Sequence, residues 1–366
     1  MLDTPLNVML LAGRFEMRGS SVYTLRLARN LSTQGVAPSV ICADARRLDA
    51  AHRAGLPLKE FPNLVTPLFN RIVVELIVRE TRPNPPDLIH VQSRSVLLQG
   101  MRLARRLGRP YVATMHDFLP AREKLPFDPE WCRGIIAVSK AVQSDILSRG
   151  NIPDHMVSLV HSGVDLPQDL KTEPVLDPGH VPVIGTAGPL ESVKGLPFFL
   201  GAAARVLAKR KNVEFLVAGA GPEEENLRRL ARELRVAEHV TFVPNMYDFS
   251  HALAAMDVFC LPSLRQGLGT IMLEAMALGK PVIATGVGGV YSCVKNNETG
   301  FVVPAADSDQ LAQRMKQLLD DPVLARAIGE AGRASVLQDF GLERMVAQTV
   351  EFYHKALEQN ALAEAG

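Results

Sequence analysis

Residues 261–289, LPSLRQGLGTIMLEAMALGKPVIATGVGG, set an apolar strand before a glycine-punctuated turn, a helix start and a second apolar strand. Main-chain N–H groups exposed at such a turn and helix start favour an anion such as phosphate. Glu274 lies inside that helix, eight positions after Gln266, so one loop and one helix face offer polar side chains beside the anion. Lys194, in PLESVKG, opens another helical stretch, where positive charge is locally unfavourable. A lysine kept there points to an anionic ligand. His116 follows the apolar run YVATM, and the carboxyl end of a strand is where sheets of this kind hold ligands. His90 ends the run LIHV and reads as a scaffold residue. Arg18 and Gly19, in FEMRGSSV, mark a loop entering a helix, with Arg18 either meeting an anion or standing in solvent.

Short apolar runs alternate with amphipathic stretches along almost the whole chain. NVMLL, SVICA, LIHV, YVATM and GIIAVS read as strands of the first half, with helices over 21–34 and within VLLQGMRLARRLG. VPVIGTAG, VEFLVAGAG, VTFVP, DVFCLPS and PVIATG read as strands of the second half, with helices over 195–210, 223–235, 270–279 and 307–319. The pattern predicts an α/β protein whose parallel sheets are covered on both faces. Residues 166–182 carry four prolines and no periodicity, which marks a linker, and 342–362 reads as a final amphipathic helix. Two doubly wound domains joined this way are expected to face each other across a cleft.

At 366 residues the chain can bury two cores, and its 47% apolar and 22% charged content is ordinary for a soluble protein. No apolar run has the length of a spanning helix, and the N-terminal residues lack a signal-peptide pattern. The widely spaced Cys42, Cys132, Cys260 and Cys293 read as reduced core thiols, not as metal ligands. The net charge of +1 divides into +6 over residues 1–165 and −5 over the remainder. That excess is small and lacks interleaved aromatics, so nucleic-acid binding is not indicated.

Several motifs in order resemble the GT-B glycosyltransferases, specifically the retaining family-4 enzymes. They are MHD (115–117), HSGVD (161–165), Lys194-Gly195, AGAGPEEENL (218–227) and the 261–289 block. The resemblance spans nearly the whole chain. It implies an acceptor-binding Rossmann-like domain over 1–168, a nucleotide-sugar domain over 169–341, and a terminal helix packing back on the first domain. It implies a donor site of Gly19, Gly188, Lys194, Gly195, Arg265, Gln266, Gly267, Leu268, Gly269, Thr270 and Glu274, with Glu274 gripping the ribose hydroxyls. His116, Lys194 and Gln266 are the implied catalytic residues, and Arg18 the acceptor-side candidate. The implied reaction moves a sugar from a UDP- or GDP-linked donor to an acceptor hydroxyl, with no cofactor and no metal. A glycan or lipid-linked acceptor, synthesis of cell-surface polysaccharide, lipopolysaccharide or glycolipid, and a cytoplasmic location with peripheral contact to an anionic membrane follow from the same resemblance.

Two positions depart from the family pattern. Gln266 stands where a glutamate is usual, and Pro189 where an arginine is usual. Arg265, Arg14 or Arg18 are the candidates to replace that cation. The departures leave open a nucleotide-sugar-binding protein with weakened or lost catalysis, acting as a partner subunit or sensor. A GT-B epimerase fits the 261–289 block less well, and a dehydrogenase lacks the third fingerprint glycine after GAGPEE. For membrane contact the sequence offers two candidates: Arg102, Arg105, Arg106 and Arg109 at helical spacing, and an apolar helix over 64–80 with basic ends. A solvated basic face is the plain alternative for the arginines.

Overall fold

A computed structural model describes residues 5–16, 19–48, 50–165, 174–244 and 249–364. The chain divides into two compact units, Met1–Gly163 with Leu342–Gly366, and Val164–Gly341. The first contains strands β1 (Leu6–Leu11), β2 (Val36–Cys42), β3 (Leu58–Glu60), β4 (Leu88–Val91), β5 (Tyr111–Met115), β6 (Cys132–Ala137) and β7 (Val157–Leu159). The second contains β8 (Val183–Ala187), β9 (Glu214–Ala218), β10 (Val240–Val243), β11 (Val258–Leu261), β12 (Val282–Thr285) and β13 (Phe301–Val303). Their orders are β3-β2-β1-β4-β5-β6-β7 and β10-β9-β8-β11-β12-β13, with every neighbouring pair parallel. Both are doubly wound α/β sheets. The strand order reverses between β1 and β4 and again between β8 and β11, and a crevice opens at the carboxyl ends of the strands at each such point.

Strands such as β4, β5, β11 and β12 are buried at every residue, which is why they read as unbroken apolar runs. Pro38 is tolerated inside β2 because β3 pairs only with Val40–Cys42, leaving the strand without a second neighbour at Pro38. The first helix spans Gly19–Asn30 and tightens into a 3-10 turn over Leu31–Gln34, closed by Gly35 at φ 75°. The helix expected over 64–80 begins only at Asn70 and ends at Thr81. Pro67 explains the late start, since it disfavours helical backbone at Thr66.

The helix Leu342–Glu364 belongs to the first unit and buries Met345, Val346, Val350, Phe352, Tyr353 and Ala356 there. Of the sequence expected to form a linker, residues 166–173 lie outside the described residues, and 174–182 are fastened to the second unit. The buried Asp257 carboxylate does the fastening: it accepts from the main-chain N–H of Leu176 at 2.6 Å and of Val183 at 2.8 Å, and from His180 Nε2 at 3.0 Å. All four cysteines are buried and unpaired, and burial raises each thiol, Cys42 to about 12 and Cys132 to about 11. Among the described residues no helix is long and apolar enough to cross a membrane.

Candidate active site

In the second unit the reversal point lies between the ends of β8 and β11. A small, open pocket lies there, lined by Gly188, Pro189, Lys194, Leu261, Pro262 and Ser263 among others. Glycines bring the backbones together. A Cβ on Gly195, which has φ 63°, would sit 2.0 Å from the Pro262 carbonyl oxygen, and one on Gly219, at φ 140°, would sit 2.0 Å from that of Gly188. Only glycine fits either place.

Lys194 ends a 3-10 turn (Ser192–Lys194) that runs through Gly195 into the helix Leu196–Leu207. Its half-buried side chain reaches across to the turn after β11, where Nζ donates to Gln266 Oε1 at 3.1 Å. Ser263 Oγ donates to the same oxygen at 3.1 Å. Because an ammonium group can only donate, Gln266 must present its oxygen to Lys194 and its NH₂ elsewhere. Ser263 is fixed in turn, since Thr285 Oγ1 donates to its carbonyl at 2.5 Å. Sequence reasoning did not single out Ser263 and Thr285, although their positions at the ends of β11 and β12 were the available signal.

Gly267, Leu268 and Gly269 are buried and carry the chain from Gln266 to the helix Thr270–Ala277, with Gly269 at φ 95°. This turn packs on Gly289, whose N–H donates to the Gln266 carbonyl at 3.1 Å and whose Cβ, if present, would meet the Gly267 carbonyl at 2.0 Å. The first amides of the helix have no partner four residues back, so the turn presents donors and the positive end of the helix dipole. Glu274 shares a half-buried face with Thr270 and Ile271, while Met272, Leu273, Ala275, Met276 and Ala277 are buried. The carboxylate therefore stands one turn along the helix from the amide end, on the side away from the core. Arg265 is exposed next to Gln266, and Pro189 brings no charge to the pocket wall.

In the first unit, Gly19 begins the helix Gly19–Asn30, and Arg18 lies outside the described residues. Half-buried His116 follows β5; its Nε2 donates to the Gln92 carbonyl at 3.1 Å, and its ring meets the Tyr23 ring edge-on at 4.8 Å. Burial holds the imidazole down at about 4 despite that hydrogen bond. It is thus neutral near pH 7, with its proton on Nε2. Gln92 and Tyr23 complete this arrangement and were not read from the sequence.

His90 is a scaffold residue. Fully buried, it bonds Tyr353 Oη through Nδ1 at 2.6 Å and Thr114 Oγ1 through Nε2 at 2.7 Å. Burial first, and then His116, brings its pKa from 6.5 down to about 3. A depressed histidine contributes stability that is complete above its unfolded value and drains as pH falls, because only the unfolded chain takes up the proton. The expected loss from His90 is about 2 kcal/mol between about pH 7 and about pH 5. Urea unfolding at the two pH values reads it together with a similar contribution from His116, and His90→Gln should remove roughly half of the combined dependence.

The two parallel α/β sheets agree with what comparison with known proteins returns. The family model "Glycosyltransferase Family 4" matches residues 17–168, and "Glycosyl transferases group 1" matches 169–335. A D-inositol 3-phosphate glycosyltransferase of Arthrobacter sp. (strain FB24) is 28% identical over 83% of this chain and 78% of its own length. A GDP-mannose-dependent monoacylated alpha-(1-6)-phosphatidylinositol monomannoside mannosyltransferase of Corynebacterium glutamicum is 38% identical over 45% of each chain. The crystal structure of Anabaena HepE in complex with UDP and glucose superposes with a TM-score of 0.81 at 20% identity, covering 95% of this chain and 99% of that one. With the two models together spanning residues 17–335, the chain belongs to the family-4 glycosyltransferases and has the GT-B fold.

Proposed function

We propose that the protein transfers a sugar from a UDP- or GDP-linked donor to a hydroxyl of a glycan or lipid-linked acceptor, with retention at the anomeric carbon and without a metal. The observation that carries this reading is the Lys194 ammonium held at 3.1 Å from Gln266 Oε1, beside the glycine turn that opens the helix Thr270–Ala277. The anomeric C–O bond to the diphosphate breaks, a bond from the acceptor oxygen forms on the same face, and the acceptor proton passes to the departing phosphate oxygen. Little covalent chemistry falls to the protein. Its task is to stabilise charge gathering on the leaving diphosphate, which Lys194, the turn amides and the helix dipole are suited to do. Glu274 would hold the ribose hydroxyls. A neutral His116 would hydrogen-bond the transferred sugar without adding a cation there. Synthesis of cell-surface polysaccharide, lipopolysaccharide or glycolipid on the cytoplasmic side is the setting that suits such an acceptor.

Pro189 and Gln266 remove one positive and one negative charge together relative to the family pattern, so the net charge offered to the diphosphate is unchanged. Gln266→Glu alone breaks that balance by placing a carboxylate against the Lys194 ammonium. The variant is expected to bind free UDP or GDP roughly tenfold more weakly. Titration calorimetry measures the change, and Pro189→Arg combined with Gln266→Glu should recover most of it.

The experiment that tests the function is a thermal-shift panel of UDP-, GDP- and ADP-sugars, followed by measured release of nucleoside diphosphate with acceptor present. A donor that raises the midpoint and is turned over supports the reading. No shift with any donor overturns it, and a shift without release assigns the chain to binding alone.

A further inference from the structure

Two rungs join the ends of β4 and β5, which are neighbours in the first sheet. The inner rung is the hydrogen bond between His90 Nε2 and Thr114 Oγ1 at 2.7 Å. Two residues further along each chain, the outer rung is His116 Nε2 donating to the Gln92 carbonyl at 3.1 Å. Each imidazole also meets a tyrosine edge-on. His90 meets Tyr353 of the terminal helix with ring centroids 5.4 Å apart, and His116 meets Tyr23 of the helix Gly19–Asn30 at 4.8 Å. The two tyrosines do different things. Tyr353 Oη is hydrogen-bonded to His90 Nδ1 at 2.6 Å, so both nitrogens of the inner imidazole are engaged. Tyr23 is buried as deeply, but Thr114 and Thr349 stand near its Oη without completing a hydrogen bond. What it gives His116 is its ring.

That ring has a task the inner rung does not need. His116 is half-buried, and among the described residues its Nδ1 has no hydrogen-bond partner. With the proton on Nε2 given to a carbonyl, Nδ1 can only accept. Its lone pair lies in the imidazole plane, and a hydrogen bond weakens steeply once donor and acceptor are misaligned. A single bond at Nε2 leaves the ring free to turn about that bond. An aromatic neighbour packed edge-on removes the freedom, because the pair has a preferred angle as well as a distance. Thr24, next to Tyr23 in the same helix, lies with its Oγ1 3.3 Å from Gln92 Oε1. Consecutive residues of one helix thus hold the imidazole and the residue whose carbonyl orients it.

We infer that Tyr23 is a positioning residue for sugar transfer: its ring fixes the plane of His116, so that Nδ1 is presented as an acceptor to the transferred sugar. This rests on the reading that His116 meets that sugar. Tyr23→Leu, or the longer Tyr23→Met if the leucine variant does not fold, should lower kcat roughly tenfold. Tyr23→Phe keeps the ring and should stay within about twofold of wild type. KM for the nucleotide sugar that the thermal-shift panel selects should move less than about threefold, because Lys194, the glycine turn and Glu274 carry donor binding. In the His116→Gln background, Tyr23→Leu should cost less than about twofold further, since a residue acting through His116 has nothing left to position. Tyr353→Phe strips a hydroxyl from the inner rung, and should lower the thermal midpoint while leaving kcat within about twofold. The ring is also read without any substrate. Two-bond proton–nitrogen NMR spectra should show His116 as a single Nε2–H tautomer in the wild type and in Tyr23→Phe, and as an average of tautomers in Tyr23→Leu. Losses that multiply in the double variant, or a tautomer and a kcat indifferent to Tyr23→Leu, overturn the proposal. Full turnover by His116→Gln also overturns it, but through the underlying reading; slow turnover by His116→Gln with normal turnover by Tyr23→Leu overturns the positioning role alone.

Discussion

Replacing Lys194 by alanine is expected to lower kcat roughly a hundred- to a thousandfold while leaving the fold intact. The magnitude follows from placement. Lys194 is half-buried at the edge of the pocket between β8 and β11, and its ammonium is fixed by Gln266 Oε1 before any ligand arrives. A cation held in advance does not have to reorganise when charge moves onto the diphosphate, so its effect is concentrated in the transition state. For that reason kcat should fall more steeply than KM rises. Lys194→Arg keeps the charge but changes the shape of the donor group, and should lie between the two. Steady-state release of nucleoside diphosphate reads the rates, and thermal unfolding checks the fold. A loss of less than about tenfold in the alanine variant would remove Lys194 from the role assigned to it.

Gly195→Ala is expected to destabilise the chain by about 3 kcal/mol and to abolish donor binding. Two penalties coincide there. The residue sits at φ 63°, in the left-handed region, and its new methyl group would lie 2.0 Å from the Pro262 carbonyl oxygen and 3.0 Å from the carbonyl carbon. Main chain cannot swing aside as a side-chain tip can. The segment leaving β11 must shift, and it carries Ser263, which helps to orient Gln266. Gly279→Ala separates the two penalties within the same unit: its φ is 73°, but its nearest neighbour would be Glu330 Oε1 at 3.5 Å. That variant should lose about 1 kcal/mol and keep its ligand affinity. If the urea midpoints of the two variants coincide, the close approach of Gly195 to Pro262 is not what holds the pocket together.

Much of the architecture was legible because buried parallel strands leave a coarse signal. Runs such as LIHV and PVIATG are apolar on both faces, and the amphipathic stretches between them dictated parallel sheets covered on each side. Periodicity failed where side chains are small. The 18-residue helix Pro322–Asp339 went unread because it buries Ala325, Ile328, Gly329, Gly332 and Val336, a face that carries little hydrophobic contrast. Those small residues permit close approach: a Cβ on Gly329 would meet the Gly279 carbonyl oxygen at 2.1 Å. Three-residue strands such as β3 and β7 are likewise too short to show an alternation.

At the site, the residues with unusual chemistry for their position could be named in advance, as with Lys194 at a helix start and Glu274 in an apolar helix. Their supports could not. Ser263, Thr285, Gln92 and Tyr23 act through contacts with residues distant in sequence, and nothing local distinguishes a serine after one strand from a serine after another. Arg102, Arg105 and Arg106 show the converse. Helical spacing grouped them as a basic face, but their partners Asn70, Asp128 and Glu75 come from other segments.

The return of residues 342–364 to the first unit reverses the usual order of folding on the ribosome. A nascent chain ordinarily completes its leading domain first, at roughly 5–20 residues per second. Here the leading unit waits for Met345, Val346 and Tyr353, which fill its core, until all of Val164–Gly341 has been synthesised. The pause is on the order of ten seconds. The later-made unit holds all its own strands, whereas His90 gains its Tyr353 partner only once the terminal helix has been made.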